Sequence, residues 1–287
     1  MGTGRRPRGW GRVVPAAALA LACGLLPPEK PAPATPQAPA PAPVTLPPAG
    51  YQLAFEDDFA GSALDTSLWT AESGPRRDFV MTPAAAQVAN GLLTITTYTV
   101  AGQHRSGFLS TRGLYETTFG YFEARIRFLD APGEWCAFWL FSPTNGVPLG
   151  DPAQAGVEID VVEHRVTDQG GWTALRDMVA LNLNWDGYGA SMKNEQRVLA
   201  LPGDAPVQGT WHTYGVLWTD TSYTYFVDGN ALWTTPDAIS LRTEAIQLTC
   251  EVQDHSWAGN VPAGGYGSRS TSTTGMQVDW VRVWQKP

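Results

Sequence analysis

Phe119-Gly120-Tyr121-Phe122-Glu123-Ala124-Arg125-Ile126-Arg127-Phe128 alternates apolar and charged residues. Successive side chains of a strand point to opposite faces, so Phe122, Ala124 and Ile126 share one side while Glu123, Arg125 and Arg127 share the other. That is a strand with one face in a core. Outward from it, residues 135–141, 210–218, 223–227 and 278–284 are further runs of aromatic and β-branched residues. Turn-forming pairs and clusters separate them: Asp57-Asp58, Gly61-Ser62, Asn90-Gly91, Asp228-Gly229 and Pro262-Ala263-Gly264-Gly265. No long stretch carries the period of an amphipathic helix, and there is no internal repeat. The expected fold class is all-β, a sandwich or jelly roll.

The first fifty residues read differently. Arg5, Arg6, Arg8 and Arg12 lead into an apolar stretch over 13–26, the pattern of an export signal and too short for a permanent membrane span. Cys23 closes Ala20-Leu21-Ala22-Cys23, which resembles a bacterial lipoprotein cleavage box; a plain secretory signal with an incidental cysteine is the alternative. Residues 27–50 hold ten prolines in twenty-four positions and almost no apolar bulk, so they read as an extended linker. The organisation expected is an export signal over 1–26, a linker over 27–50 and one domain over 51–287, secreted or held at the outer surface of a bacterium.

That domain is acidic. It carries 14 Lys and Arg against 26 Asp and Glu, a net charge of −12. Such a balance argues against nucleic acid or an anionic membrane as partner. Cys136 and Cys250 both lie in strand-like runs; export permits a disulfide, and two buried free thiols fit as well. Nothing asks for more than a monomer.

The chemistry points to Glu158-Ile159-Asp160-Val161-Val162-Glu163. Strand parity puts Glu158 and Asp160 on one face and Ile159 on the core side. Glu163 is five residues from Glu158, and regular alternation would send it into the core. A β-bulge at Val161-Val162 restores its face and lines up three carboxylates. The Glu158 and Glu163 backbones would then be about four strand steps apart, roughly 13 Å, and inward-leaning side chains close that to the ~5–5.5 Å of a retaining glycosidase. Crowding like charges raises the proton affinity of at least one of them, as an acid catalyst requires. A solvated acidic strand and a calcium site are the competing readings.

With these residues in view, the sequence resembles glycoside hydrolase family 16 over nearly all of 51–287. The resemblance is carried by Phe55-Glu56-Asp57-Asp58-Phe59, Leu64-Asp65-Thr66-Ser67-Leu68-Trp69, the 120–127 strand, Ala137-Phe138-Trp139-Leu140, Trp211-His212-Thr213-Tyr214, Tyr225-Phe226-Val227-Asp228-Gly229 and the strand at 278–283, in the family's order. Glu158 to Glu163 matches the bulged signature of laminarinases and of hydrolases of agar-like galactans. The resemblance implies a β-jelly roll of two antiparallel sheets, the concave one forming a polysaccharide cleft. It implies Glu158 as nucleophile, Asp160 as assistant and Glu163 as acid/base. It further implies no cofactor for the chemistry and a structural calcium held by the Asp279 side chain and backbone oxygens near Glu56 and Gly91.

Sugar faces stack on indoles, and the domain has eleven tryptophans. Trp135 and Trp139 share parity on one strand, Trp185 lies in a motif resembling the family's cleft border, and Trp257 follows a strand and could cap one end of the cleft. Trp218, Trp280 and Trp284 read as core. The resemblance brings His212 to the carboxylates, and Arg125 and Glu123 are candidates for the cleft floor. The activity expected is endo-acting retaining cleavage of β-1,3-linked glucan. The alternatives are an agar-type galactan hydrolase, a transglycosylase of the same fold, and, less well supported, a non-catalytic glucan-binding module.

Overall fold

The computed structural model describes residues 46–287. The expected export signal, Cys23 included, and the linker up to residue 45 lie outside the described residues. Among those described, no helix is long and apolar enough to cross a membrane.

Two eight-stranded antiparallel sheets face each other, with a small four-stranded sheet beside them. The back sheet runs in the order Asn230–Thr235, Tyr223–Val227, Trp211–Trp218, Gly120–Phe128, Gly275–Gln285, Leu92–Thr96 and Ala86–Ala89, with Gln52–Asp57 also on Gly275–Gln285. The front sheet runs Lys193–Ala200, Met178–Trp185, Glu158–His164, Glu134–Phe141, Glu244–Val252, Phe108–Ser110 and Thr70–Ala71, with Glu116–Thr117 also on Glu244–Val252. This is the jelly-roll sandwich expected from the strand pattern.

The core lies between the sheets. From the back sheet, Phe122, Ala124, Ile126 and Phe128 point inward and are fully buried, and their neighbours Glu123, Arg125 and Arg127 stay half-exposed. From the front sheet, Phe138, Leu140, Ile159, Leu181, Leu183, Ile246 and Leu248 meet them. The central front strands show no alternation of burial. Every residue of Glu244–Val252 is buried, as are seven of the eight in Glu134–Phe141. The small sheet, made of Gly74–Arg76, Phe79–Met81, Tyr98–Val100 and Gln103–Ser106, packs beside Glu244–Val252. Arg76 and Arg77 anchor it to the floor, binding Glu251 at 2.8 and 2.5 Å.

Cys136 and Cys250 stand directly opposite each other on adjacent front strands, on the core side, and form a disulfide. Of the two states open from the sequence, the structure has the paired one. Trp218 is buried core as expected, whereas Trp280 and Trp284 lie half-buried on the back sheet's outer face, Trp280 beneath the Arg282 guanidinium and Trp284 donating to Glu123 at 2.8 Å. Because the disulfide closes a long loop, the Cys136→Ala/Cys250→Ala chain is expected to lose roughly 2–5 kcal/mol; comparison of denaturant midpoints with the parent chain measures it.

Candidate active site

The local register explains how three carboxylates reach one face. Asp160 pairs with Trp139 and Val162 with Phe138, so Val161 has no partner on that side. On the other side Asp160 pairs with Asn182 and Glu163 with Ala180, so Val161 and Val162 together stand against Leu181. This is the extra residue of a β-bulge. Both valines turn into the core with no exposure, and Glu163 returns to the face of Glu158 and Asp160. The strand is entered through Gly156, whose φ is +79° and whose missing Cβ would lie 2.2 Å from the Ser142 side chain; no other residue fits there.

Above the three carboxylates lies a cavity of about 270 Å³. Trp135, Trp139 and Trp257 line it, with Trp135 and Trp257 packed edge to face at 5.7 Å. Arg165, two residues beyond Glu163, stacks over Trp257 at 4.1 Å and donates to its backbone carbonyl. Arg77 lies over Trp135 at 5.1 Å. Indoles and guanidinium groups thus wall a polar floor.

The floor is closely hydrogen-bonded. Asn184 Nδ2 donates to Glu158 at 3.0 Å and to Asp160 at 2.8 Å, tying the two carboxylates together. The Tyr188 hydroxyl donates to the other oxygen of Glu158, and Asn182 donates to Glu163. Burial pushes the Glu158 carboxyl up to about 7 against its donors Tyr188 and Asn184. Burial, reinforced by the charges of Glu158 and Glu251, pushes Glu163 up to about 8, with Asn182 and Arg165 opposing. Burial and then the flanking charges of Glu158 and Glu163 raise Asp160 well above the usual range. All three carboxyls thus hold their protons to a higher pH than free ones do.

The structure thus brings together Glu158, Asp160, Glu163, Trp135, Trp139 and Trp257, and it corrects the remaining expectations. Trp185 has the opposite parity to Asn184 and packs against the core. His212 belongs to the back sheet, where its ring nitrogens bind Asp228 at 2.6 Å and the Pro206 carbonyl at 3.0 Å, away from the carboxylates. Arg125 and Glu123 lie on the outer face of that same sheet. Arg125 pairs with Asp279 at 2.6 Å and stacks over Trp211, and Glu123 accepts from Trp284.

The calcium expectation does not fit. Asp279, its only side-chain ligand, is held by the Arg125 guanidinium, and Gly91 lies in an open turn. A cation already neutralises the one carboxylate a dication would find there. Among the described residues the one cluster with metal-ligand spacing is Glu134, Cys136 and Cys250, whose sulfurs are spent in the disulfide.

Sequence reasoning missed Arg76, Arg77, Asn182, Tyr188 and Glu251. One of them left a trace: Asn182, with Asn184, interrupts the apolar run of Met178–Trp185 at alternate positions, the mark of a polar face over a buried strand. The arginines come from a short segment with no pattern of its own.

Buried glutamates of raised proton affinity on the floor of an indole-walled cleft are the equipment of a glycoside hydrolase. Residues 52–286 match the family described as "Beta-porphyranase A-D, GH16 domain", and the chain belongs to glycoside hydrolase family 16. Among its relatives is the endo-1,3-1,4-beta-glycanase ExsH of Rhizobium meliloti, 32% identical over 154 residues, which are 50% of this chain and 29% of that protein. Another is the endo-1,3-1,4-beta-glycanase EglC of the same organism, 30% identical over 69% of this chain and 39% of its own length. The chain thus spans well under half the length of these two. An endo-beta-1,3-glucanase from Pyrococcus furiosus shares the fold at a TM-score of 0.65 and 24% identity, covering 82% of this chain and 94% of its own.

The bulge makes a prediction about register. Deleting Val161 leaves every neighbouring side chain on its present face, whereas deleting Ile159 reverses the faces on one side of the gap. The Val161 deletion is expected to retain a cooperative melt at a cost of about 2–5 kcal/mol for the lost core volume. The Ile159 deletion is expected to abolish the melt, and calorimetry of both chains decides.

Proposed function

We propose that the chain is an endo-acting retaining hydrolase of a β-linked polysaccharide. The observation that carries this reading is the bulge-aligned set of buried Glu158, Asp160 and Glu163 beneath the indole-walled cavity. In the first step Glu158 attacks the anomeric carbon while Glu163 gives its proton to the departing glycosidic oxygen, leaving a glycosyl ester on Glu158. In the second, Glu163, now a carboxylate, takes a proton from water as that water attacks the same carbon and frees Glu158. Asp160, joined to Glu158 through Asn184, holds the nucleophile in place. The chemistry asks for no cofactor.

For the substrate, β-1,3-linked or mixed-linked glucan is the first reading, supported by the names of the relatives ExsH and EglC. An agar-type galactan is the second, supported by the family match across 52–286. Incubating the domain with laminarin, lichenan, agarose, porphyran and carrageenan distinguishes them by which polymer yields new reducing ends, and product analysis exposes transglycosylation. Glu158→Gln is expected to lower the rate by roughly four orders of magnitude or more; an undiminished rate would remove the assignment. We further propose an exported protein, to which the Cys136–Cys250 disulfide conforms. Fatty-acid labelling that disappears in a Cys23→Ala chain separates the lipoprotein from a plainly secreted form.

The acid's proton sets the alkaline limit. Glu163 is competent while protonated, so kcat/KM is expected to fall as pH rises through about 8. Asn182 donates to the charged form, so its removal raises the proton affinity further. Asn182→Ala is therefore expected to move the alkaline limb to higher pH, read from a pH–rate profile on the polymer that the panel identifies.

A further inference from the structure

Glu163 stands between two interruptions of its strand. Behind it is the bulge at Val161, and ahead the strand ends at His164. Glu163 with Ala180 is the last pair on one side, and His164 with Cys136 is the last on the other. A bulge disrupts the ladder locally, and beyond His164 there is no ladder, so backbone pairing alone holds Glu163 weakly. His164 itself turns the other way, into the core, and is fully buried. Phe128 stacks on its ring, 17° from parallel with centroids 5.0 Å apart. Its Nδ1 lies 2.6 Å from Asp130 Oδ1, and its Nε2 lies 2.9 Å from the Arg176 carbonyl oxygen.

A carbonyl can only accept, so Nε2 carries a proton, and the short contact to the carboxyl needs a second proton between Nδ1 and Asp130. Burial opposes charge on the ring, but the Asp130 charge and the hydrogen bonds outweigh it and raise the imidazole's proton affinity. His164 is therefore an imidazolium matched by the Asp130 carboxylate. Gln208 fixes both partners: its side chain donates to the Asp130 carbonyl at 2.8 Å and accepts from the Arg176 guanidinium at 2.7 Å. Its backbone N–H also donates to the Arg176 carbonyl at 3.1 Å. The end of the strand Glu158–His164 is thus tied to the exit of Gly120–Phe128 and to the turn that enters Met178–Trp185. A buried ion pair is a poor source of stability, so one placed directly after Glu163 asks for another reason.

We propose that the His164–Asp130 pair positions the acid: it pins the end of the strand from the core side and so holds the Glu163 carboxyl within reach of the departing glycosidic oxygen. The assignment rests on the hydrolase reading above and extends it to two residues that touch no sugar. His164 and Asp130 are positioning residues, acting through Glu163.

Leaving groups test it. A dinitrophenyl glycoside expels its phenolate as the ester on Glu158 forms and needs no proton, whereas a cresyl glycoside takes the proton of Glu163 as its bond breaks. Both are made from the oligosaccharide that the polymer panel identifies, and kcat/KM is compared because it reports this first step. In Asp130→Ala, kcat/KM for the cresyl glycoside is expected to fall roughly ten- to a hundredfold, the effect of a misplacement of about an ångström. For the dinitrophenyl glycoside it is expected to fall by less than about threefold. Asp130→Asn, whose amide can donate to Nδ1 of a neutral ring, is expected to restore most of the loss. A lower melting temperature in Asp130→Ala would follow from any buried pair, but a purely structural role slows both substrates alike. An equal fall with both overturns the proposal, as does no fall with either, or an Asp130→Asn protein no better than Asp130→Ala. Should Asp130→Ala fail to fold, His164→Gln carries the same comparison. Glu163→Ala separates the two readings, since it must show the leaving-group dependence in full. If it does not, the hydrolase assignment fails; if it does while Asp130→Ala slows both substrates equally, only the positioning role fails.

Discussion

One extra residue in one strand governs the front sheet. With Glu158 and Asp160 on the cleft face, strict alternation would carry Glu163 into the space between the sheets, where an unpaired carboxyl is very costly. The bulge turns Val161 and Val162 inward in succession, so the core gains two fully buried side chains at the point where the cleft gains its third carboxylate. Packing and chemistry are settled by the same local irregularity. A substitution that loosens the valines is thereby felt at Glu163.

The carboxylates are crowded under low solvent exposure, and their surroundings keep the cost within bounds. Asn182, Asn184 and Tyr188 supply donors from one neighbouring strand and the loop after it. Arg165 supplies positive charge near Glu163, and Arg76 and Arg77 pair with Glu251, whose charge adds to the repulsion. The back sheet handles its charges in another way, pairing Arg125 with Asp279 and Arg282 with Glu56 on a half-exposed face. Such pairs at the surface are worth little to stability. The first of them does occupy Asp279, the one side chain that the family resemblance had suggested for a metal.

The sequence made the fold legible wherever one face of a strand meets water, as in Gly120–Phe128, where Glu123, Arg125 and Arg127 mark the outer side. It was mute on which sheet that outer side belonged to, and so Arg125 and Glu123 of the back sheet's outer face, and His212 in register with the inward Ile126, were assigned to the cleft. Period-two patterning gives parity within a strand but carries no information on which partner lies beyond it. Trp185 was missed by one position, since parity with Asn184 would have turned it inward. Glu244–Val252 is buried on both faces and shows no alternation, so Glu251 left no periodic signal. Arg76 and Arg77 reach the cleft through a contact more than 170 residues away in the chain, which no local pattern encodes.

The strand Gln52–Asp57 lies beside Gly275–Gln285, so the beginning and the end of the folded unit are hydrogen-bonded neighbours. The floor of the cleft likewise joins Glu134–Phe141 to Glu244–Val252. A chain emerging from its N-terminus therefore cannot finish either sheet until its last strand is free, and long-range pairings of this kind form slowly. For the whole of synthesis its apolar strands wait with open edges, exposed to mispairing with one another and with other chains. Its cleft floor is complete only once Glu244–Val252 has paired with Glu134–Phe141, more than a hundred residues earlier in the chain.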